Sequence, residues 1–497
     1  MNRVDATILE ACDSPALFGR WFKTAATWRA WFIFLRALFG LPIAEDDREL
    51  WERCTARRWL PDSGGFHEAW LICGRRAGKS LILALVAVFL ATFRDWAPYF
   101  SPGERGTVMV IAADRRQARV IFRYALALLR KVPALAALIE RETADAIDLS
   151  NGVTIEILTA NFRSLRGYTV VAALCDEVAF WRSEESANPD AEILAAIRPA
   201  MATIPGSRLL VASSPYAKRG VVWDAFRKHF GKDGPVLVWR ADTRTMNPTV
   251  PEELIAEAYE RDPASAAAEY GAEFRSDVET FIAREVVEAL VVPGRHELPP
   301  VSGTVYFAFV DPSGGSQDSM TLAIAHGSEG RAVLDAVRER RPPFSPDAVV
   351  EEFTTLIKSY GGLASVEGDR YGGEWPRERF KVHGVEYRVA EKPKSDIYRD
   401  LLPRLNSGQA ELLDHPRLVA QLCGLERRTA RGGRDSIDHA PGSGSRDDLS
   451  NAVAGALIKA VRPQSTADDL TGLEIDLRTF KRTPYDGHIT LSKGSSP

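Results

Sequence analysis

Residues 71–90 read LICGRRAGKSLILALVAVFL, in which a Gly-Lys-Ser tripeptide separates two apolar runs. The run that ends at residue 73 predicts a buried strand, and residues 81–93 predict a helix that is apolar nearly all round. A strand, a short loop and a helix in this order form the setting in which backbone N–H groups at a helix N-terminus bind phosphate. The stretch therefore predicts a doubly wound α/β sheet with a phosphate-binding loop.

The residues of this loop suit the phosphates of a nucleotide. The full pattern begins with glycine where this chain has Cys73, whereas its Gly-Lys-Ser part is complete. We expect Lys79 to neutralise the β and γ phosphates and Ser80 to ligate magnesium. An ordinary surface turn is the alternative reading of the tripeptide. The predicted nucleotide-binding residues are Gly74, Arg75, Arg76, Ala77, Gly78, Lys79 and Ser80, together with Asp176.

A second motif lies at residues 169–181, TVVAALCDEVAFW, where an apolar strand ends in an Asp-Glu pair. At the carboxyl end of a parallel strand, Asp176 can hold the water shell of the metal and Glu177 can orient the attacking water. The pair is also compatible with an ordinary strand end. Because the two motifs occur in the correct order within one α/β pattern, they predict an ATPase that uses ATP and Mg²⁺.

A third apolar strand leaves the sheet in the sequence SRLLVASSPYAKRG. Its Ser213 and Ser214 are candidates for a coupling segment that senses the γ phosphate and passes on its loss, although Ser-Ser-Pro is also a turn signal. One of Arg75 and Arg76 is a candidate for the extra positive charge of an arginine finger, and the other is then solvated.

Composition excludes several classes of protein. The chain has 497 residues, which suits two or three domains, and its five cysteines form neither a CxxC pair nor a cluster with histidine. Its longest apolar runs fall short of the roughly 20 residues that span a bilayer, and we find no secretory signal, so we expect a cytoplasmic protein. Since the net charge is -4, any DNA contact must come from local basic patches.

Shifts in composition predict the division of the chain. The apolar spacing near the N-terminus is typical of amphipathic helices that pack on a core, or less simply of a docking face. The proline- and glycine-rich stretch VVPGRHELPPVSG marks a passage between domains. We predict a helical lead-in at 1–60, an ATPase domain at 61–280, a linker at 281–302, a nuclease domain at 303–462 and a flexible tail at 463–497.

The second half of the chain carries acidic residues on separate elements. The segment VYFAFVDPSGGSQDSMTLAIAH predicts a hairpin with one carboxylate at a strand end, the strand ASVEG leads into further acids, and an Asp-Asp pair begins a helix. Carboxylates so placed suit a two-metal phosphodiesterase site in a ribonuclease-H-like fold. A turn at Asp311 and a helix cap at Asp447 are the plain alternatives. The candidate metal ligands are Asp311, Asp318, Glu367, Asp369, Asp447 and Asp448.

Basic residues lie between these acids, in AEKPKSDIY and in the glycine-bearing loop LERRTARGGRDSIDH. Such residues suit contact with the phosphate backbone without reading of bases, and a solvated charged loop is the alternative. The candidate DNA-binding residues are Lys392, Lys394, Arg427, Arg428, Arg431 and Arg434.

With GRRAGKS, SLRGYTVVAALCDEVAFW, DPSGGSQDS, VEGDRYGGEW and DDLSNAVAGAL in this order, the chain resembles the large terminase subunit of tailed bacteriophages over residues 30–460. The resemblance implies an N-terminal P-loop ATPase domain that pumps double-stranded DNA into a procapsid and a C-terminal ribonuclease-H-like domain that cuts the concatemer. It implies as partners a small terminase subunit, a portal protein and further copies in a ring, without a membrane. The host cytoplasm, and not the mature virion, is the implied location.

The resemblance also assigns roles to residues. Lys79 and Ser80 would bind ATP and magnesium, and Glu177 would be the catalytic carboxylate. Ser213 and Ser214 would form the coupling segment. The nuclease metals, Mg²⁺ or in its place Mn²⁺, would be held by Asp311, Asp369 and Asp448.

The chain departs from the family pattern in two respects. Arg446 stands where many relatives have histidine, and no glutamine-centred adenine motif precedes the phosphate loop. The sequence leaves open whether Glu367 or Asp369 is the middle metal ligand, and whether Asp447 or Asp448 is the last. A helicase-like or defence-type ATPase-nuclease without a role in packaging is the alternative function.

Overall fold

Two α/β units follow one another along the chain. The computed structural model describes residues 6–61, 64–160, 167–181, 189–316, 318–369, 374–429, 435–440 and 446–460, to which all structural statements refer. The strands of the first unit are β1 Glu68–Cys73, β2 Gly106–Ala112, β3 Ile139–Glu142, β4 Ala146–Leu149, β5 Val153–Thr159, β6 Thr169–Asp176, β7 Arg208–Ser213 and β8 Val236–Ala241. Its helices are α1 Ile8–Asp13, α2 Ala25–Phe39, α3 Arg48–Thr55, α4 Lys79–Phe93, α5 Arg115–Lys131, α6 Pro133–Ala136, α7 Pro189–Met201, α8 Gly220–His229, α9 Thr243–Met246, α10 Glu252–Arg261 and α11 Pro263–Glu269.

The first sheet has the strand order β3-β4-β5-β2-β6-β7-β1-β8. The strands β5, β2, β6, β7, β1 and β8 are paired in parallel, so their carboxyl ends meet at one edge of the sheet. Helix α4 follows β1 directly and is buried on nearly all sides, as its apolar composition predicts. The loop between β1 and α4 therefore lies at the same edge as the ends of β6 and β7, which is where a doubly wound sheet binds its ligand.

The N-terminal segment forms helices, as predicted, and these pack on the first sheet. Trp31 and Phe34 of α2 and Trp51 of α3 are fully buried. The rings of Phe34 and Trp51 both contact Trp239 of β8, with ring centroids 5.8 and 6.2 Å apart. These residues share one hydrophobic core with α4. Of the two roles considered for the N-terminal helices, the structure shows the packing on a core.

The second unit contains two further sheets. Its strands are β9 Val278–Thr280, β10 Tyr306–Asp311, β11 Met320–Ser328, β12 Arg331–Arg340, β13 Ser365–Gly368, β14 Glu386–Val389, β15 Ala410–Glu411, β16 Leu425–Thr429 and β17 Asp435–His439. Its helices are α12 Arg284–Leu290, α13 Pro346–Ser359, α14 Trp375–Val382, α15 Lys394–Asn406, α16 Pro416–Gly424 and α17 Asp448–Ala460.

The larger of these sheets has the order β14-β13-β10-β11-β12-β15. Strands β10, β11 and β12 pair antiparallel, whereas β10, β13 and β14 pair parallel. In a ribonuclease-H-like sheet, three antiparallel strands come first along the chain. Parallel strands are then added at the free edge of the first strand, as β13 and β14 are beside β10. The fold predicted from sequence, a P-loop sheet followed by a ribonuclease-H-like domain, is therefore confirmed.

The segment 281–302, predicted as a linker, is structured in part. It includes helix α12, and Phe281, Ile282, Val287 and Leu290 are buried in the core of the second unit. Strand β9, which precedes it, pairs with β16. The proline- and glycine-rich residues that suggested a linker lie only after α12, so the second unit begins earlier than expected. The predicted flexible tail at 463–497 lies outside the described residues.

Helix α17 lies against β10 at a glycine. A Cβ atom at Gly455 would stand 2.2 Å from the ring of Phe309, so the close approach of helix and strand needs a residue without a side chain. Phe309 is fully buried, and two residues later the same strand ends at Asp311. Within the described ranges, no helix is long and apolar enough to cross a membrane.

We expect Gly455→Ala to lower the free energy of unfolding by about 1–3 kcal/mol, because the added methyl group overpacks this contact. Urea unfolding measures the change. Gly424→Ala is the matched control, since a Cβ atom there meets no heavy atom within 4 Å. Equal stability of the two variants would contradict the close packing of α17 on β10.

Two candidate active sites

Side chains of other elements donate hydrogen bonds to the backbone of the phosphate loop. Three successive carbonyl oxygens accept hydrogen bonds: that of Arg75 from Thr243 Oγ1 at 2.7 Å, that of Arg76 from Asn247 Nδ2 at 2.8 Å and that of Ala77 from Trp31 Nε1 at 2.8 Å. Gly78 has a φ of 100°, a conformation that favours glycine, and caps α4. These contacts fix the loop backbone before any ligand is bound.

Lys79 connects the three motifs predicted from sequence. Its ammonium is buried and lies 3.0 Å from Cys73 O and 3.0 Å from Ser214 Oγ. It also forms an ion pair with Glu177 Oε1 at 3.1 Å. The phosphate loop, the Asp-Glu pair and the Ser-Ser pair thus meet at one ammonium group.

The Asp-Glu pair presents two carboxylates with different surroundings. Glu177 follows β6 with a φ of 50°, uncommon for a residue other than glycine, and its Oε2 accepts a hydrogen bond from Ser214 N at 2.9 Å. Asp176 is buried, and this burial together with the charge of Glu177 raises its pKa to about 7. Its Oδ1 has no hydrogen-bond partner among the described residues. The charge of Lys79 acts on this carboxylate, so a buried, unpartnered oxygen lies near the phosphate loop and fits the water shell of a magnesium ion.

A cleft of about 640 Å³ opens in front of the loop. It is lined by residues of the loop, by Glu177 and by a group of mostly apolar residues, Val120, Tyr124, Val250, Pro251 and Leu254. Tyr124 and Leu254 are exposed there. Sequence reasoning named none of these residues, because they come from elements far apart in the chain and form no motif.

The two loop arginines differ in their contacts. Arg75 forms an ion pair with Glu269 at 3.0 Å, and both side chains are largely solvent-accessible. Both arginines line the cleft, and the φ of 62° at Arg76 is also in the left-handed region. The assignment of an arginine finger to one of them stays a prediction.

The second site lies where β10 and β13 end. Asp311 closes β10, and because Val310 is paired with Gly368 in parallel register, Asp369 follows at the neighbouring position. Asn451 of α17 donates a hydrogen bond from Nδ2 to Asp311 Oδ2 at 2.9 Å. Burial raises the pKa of Asp311 well above its usual range, and the charges of Asp448 and Asp369 raise it further.

Asp448 occupies the first turn of α17 and faces the hairpin between β10 and β11. Its Oδ2 accepts a hydrogen bond from Ser319 N at 3.1 Å. Burial and the neighbouring Asp447 raise its pKa to about 6. Asp318, in the same hairpin, is exposed and forms an ion pair with Arg446, the residue that stands in place of the expected histidine. Exposure and this ion pair both make Asp318 a weaker candidate ligand than Asp448.

The contacts favour one member of each ambiguous pair. Asp447 is engaged by Lys394 Nζ at 2.9 Å and by the Tyr398 hydroxyl, which donates at 3.2 Å, so Asp448 is the better candidate ligand. Glu367 forms an ion pair with Lys459 at 2.5 Å. Lys459 lies three turns beyond Asp448 on α17, roughly 16 Å along the helix axis, which points Glu367 away from the site and favours Asp369.

The donor set of Asp311, Asp369 and Asp448 fits a divalent metal. The three carboxylates come from separate elements, and the charges of Asp369 and Asp448 lie close enough to raise the pKa of Asp311; a bound cation relieves this repulsion. The Oδ1 atom of Asn451 is buried and has no hydrogen-bond partner within the described chain. Oxygen donors of this kind are those that Mg²⁺ prefers.

Two residues that position this site were not identified from sequence. Gln421 of α16 accepts hydrogen bonds at Oε1 from Leu449 N at 2.9 Å and Ser450 N at 3.0 Å, and so caps α17 from another helix. Asn451 orients Asp311. A signal for Asn451 was present, because it follows Asp448 by three residues and so lies on the same helix face, whereas nothing local indicated Gln421.

The candidate DNA-binding residues that the structure describes already carry acidic partners. Lys392 pairs with Asp400 and Arg427 with Asp435, while Arg428 lies 3.2 Å from Glu426. Lys394 lies between Asp438 and Asp447. Arg431 and Arg434 lie outside the described residues. Contact of these six residues with DNA stays a prediction.

Part of the first unit matches a known protein family. Residues 71–189 match the family model described as the N-terminal part of the T4-like-virus type of terminase large subunit. This range includes the phosphate loop and the Asp-Glu pair. No curated protein matches the chain.

Solved structures of phage large terminases are similar to the chain. The large terminase of bacteriophage HK97 is 17% identical over 87% of this chain and 100% of its own, with a TM-score of 0.38. The magnesium-bound large terminase nuclease of the thermophilic phage G20c is 17% identical over 35% and 94%, with a TM-score of 0.31. The large terminase of another thermophilic bacteriophage is 12% identical over 80% and 95%, with a TM-score of 0.33.

The resemblance found in the sequence is thus confirmed for residues 71–189, which match the family model of the terminase large subunit.

Proposed function

We propose that the chain is the motor subunit that packages viral DNA. ATP hydrolysis in the cleft at Lys79 drives double-stranded DNA into a procapsid, and the carboxylate site at Asp311 cuts concatemeric DNA. The observation that carries the proposal is that one chain has two separate acidic sites at strand ends, of which only the first adjoins a phosphate loop among the described residues. ATP, Mg²⁺ and, at the nuclease site, Mn²⁺ in its place are the proposed cofactors.

In the ATPase site the residues act in a fixed arrangement. Lys79 exchanges its ion pair with Glu177 for the phosphates of ATP, which leaves the Glu177 carboxylate available to accept a proton from the attacking water. Ser80 and Asp176 would hold magnesium, which neutralises phosphate charge when bound. The ring of Tyr124 and the side chain of Leu254 line the cleft and suit a purine base, since they offer apolar area for contact with its faces.

A short series of hydrogen bonds connects the proposed γ-phosphate site to the second unit. Ser214 N is bound to Glu177, and two residues later the Tyr216 hydroxyl donates to Glu426 Oε2 at 2.6 Å. Glu426 lies on β16, is fully buried and is also paired with Arg219. A shift of the Ser213-Ser214 segment therefore acts directly on a buried carboxylate of the nuclease unit.

We expect Tyr216→Phe to reduce the stimulation of ATP turnover by DNA about five-fold or more, with basal turnover unchanged, because it removes one bond of this path. Turnover with and without duplex DNA measures the effect. Tyr168→Phe is the matched control, since it removes a Tyr-Glu hydrogen bond, to Glu156 at 3.2 Å, inside the first unit. Equal stimulation in both variants would contradict the path.

In the nuclease site Asp311, Asp369 and Asp448 would hold the metal ions, and Asn451 orients the first of them. Bound divalent ions supply activation of water and neutralisation of the leaving oxygen. The proposed partners are double-stranded DNA, a small terminase subunit, the portal protein and further copies of this chain in a ring. The proposed place of action is the host cytoplasm.

A forked duplex separates this function from the helicase-like alternative. A packaging motor moves along intact double strands, so we expect the chain to hydrolyse ATP in the presence of the fork and to leave its strands paired. Separation of labelled strands, dependent on ATP and lost in Lys79→Ala, would favour the alternative.

A further inference from the structure

A second group of metal-binding side chains lies beside the proposed nuclease site. Asp438 and His439 at the end of β17 and Asp447 before α17 each offer one ligand atom, and these atoms lie within 4.8 Å of one another. Two carboxylates and an imidazole in so small a space form a donor set for a divalent cation. Only Asp447 among them was a candidate ligand from sequence.

A lysine ammonium binds this group. Lys394, the first residue of α15, places Nζ 2.8 Å from Asp438 Oδ1 and 2.9 Å from Asp447 Oδ2. The side chain of Asp447 is only 7% exposed, and Tyr398 donates a further hydrogen bond to it. A buried carboxylate such as that of Asp447 needs a compensating cation, and here the protein supplies it.

The position of this ammonium bears on the nuclease site. Asp447 directly precedes Asp448, and its backbone carbonyl accepts a hydrogen bond from Asn451 N at 2.7 Å. Asn451 is the residue that orients Asp311. The ammonium that fixes Asp447 thus also fixes the start of α17, from which two groups of the site project.

We propose that Lys394 is a resident cation that takes the place of a divalent metal at Asp438, His439 and Asp447, and that it positions α17 for cleavage. Loss of the Lys394 ammonium would leave Asp438, His439 and Asp447 free to bind a divalent metal ion. The ammonium already neutralises two carboxylates, so we assign it this role in preference to contact with the DNA backbone. Only the effect on cleavage rests on the proposed nuclease function, because metal binding is measured independently.

The experiment counts Mn²⁺ bound to the full chain, from the electron paramagnetic resonance signal of free Mn²⁺. Lys394→Gln is expected to bind one more ion than the wild type, and Lys394→Gln with His439→Ala is expected to return to the wild-type number. Lys394→Arg keeps the cation and should bind as the wild type does. Equal numbers in wild type and folded Lys394→Gln would overturn the proposal.

A parallel assay reads plasmid cleavage. Lys394→Gln should lower the cleavage rate about 10- to 100-fold, as loss of a residue that supports a metal site does. Added Mn²⁺ should restore part of the cleavage rate, and only in a variant that keeps His439. Should Lys394→Gln unfold in metal-free buffer, Mn²⁺ must restore its folding, and failure to do so would also overturn the proposal. An inactive wild type that gives the expected Mn²⁺ numbers would refute the nuclease function alone.

Discussion

Replacement of Glu177 by glutamine is expected to lower ATP turnover about 100- to 10,000-fold and to leave nucleotide binding intact. The amide keeps the size of the side chain and its contact with Ser214 N, which lies 2.9 Å from the carboxylate, but it cannot accept a proton from water. Phosphate release at saturating ATP with duplex DNA measures turnover, and a fluorescent ATP analogue measures binding.

Glu68→Gln is the control for this experiment. Glu68 begins β1 at the opposite edge of the same sheet and pairs with Arg198 at 3.1 Å, so its loss should leave turnover unchanged. Undiminished turnover in Glu177→Gln would show that another group activates the water.

Asp311→Asn is expected to reduce DNA cleavage about 1,000-fold, because loss of a metal ligand removes several kcal/mol of transition-state stabilisation. ATP turnover should stay at the wild-type rate, since the cleft at Lys79 has its own acidic residues. Nicking of supercoiled plasmid in Mg²⁺ and in Mn²⁺ measures the loss. A variant that still nicks DNA would refute the role of Asp311.

Glu367→Gln is the matched control for Asp311→Asn. Its carboxylate is engaged by Lys459 at 2.5 Å, about three helical turns from Asp448, so cleavage should change only a few-fold. Asp369→Asn, in contrast, should behave as Asp311→Asn does. The opposite result for these two variants would exchange their roles and would leave the rest of the site as assigned.

Sequence predicted those parts of the molecule that short stretches encode. The Gly-Lys-Ser loop between two apolar runs indicated β1 and α4, and Asp176 and Asp311 were recognised because each ends an apolar strand. Strand ends converge whenever strands are parallel neighbours, so the meeting of Lys79, Glu177 and Ser214 followed from local patterns plus one rule of sheet geometry.

Contacts between distant elements were beyond such reasoning. The capping of α17 by Gln421, the bond from Tyr216 to Glu426 and the ammonium of Lys394 between two carboxylates depend on the packing of elements that no local pattern relates. The same limit explains segment 281–302. Its later prolines and glycines were visible, whereas the burial of Leu290 depends on partners from α15 and α16.

Packaging by purified components tests the central claim most directly. Full-length chain, small terminase subunit, ATP and duplex DNA are mixed with procapsids that carry the portal of the same virus, and DNA resistant to added nuclease is measured. We predict protected DNA with the wild type and with Asp311→Asn, and none with Glu177→Gln. A wild-type chain that hydrolyses ATP and cuts DNA but protects none, or Glu177→Gln that protects as much as the wild type, would contradict an ATP-driven packaging motor.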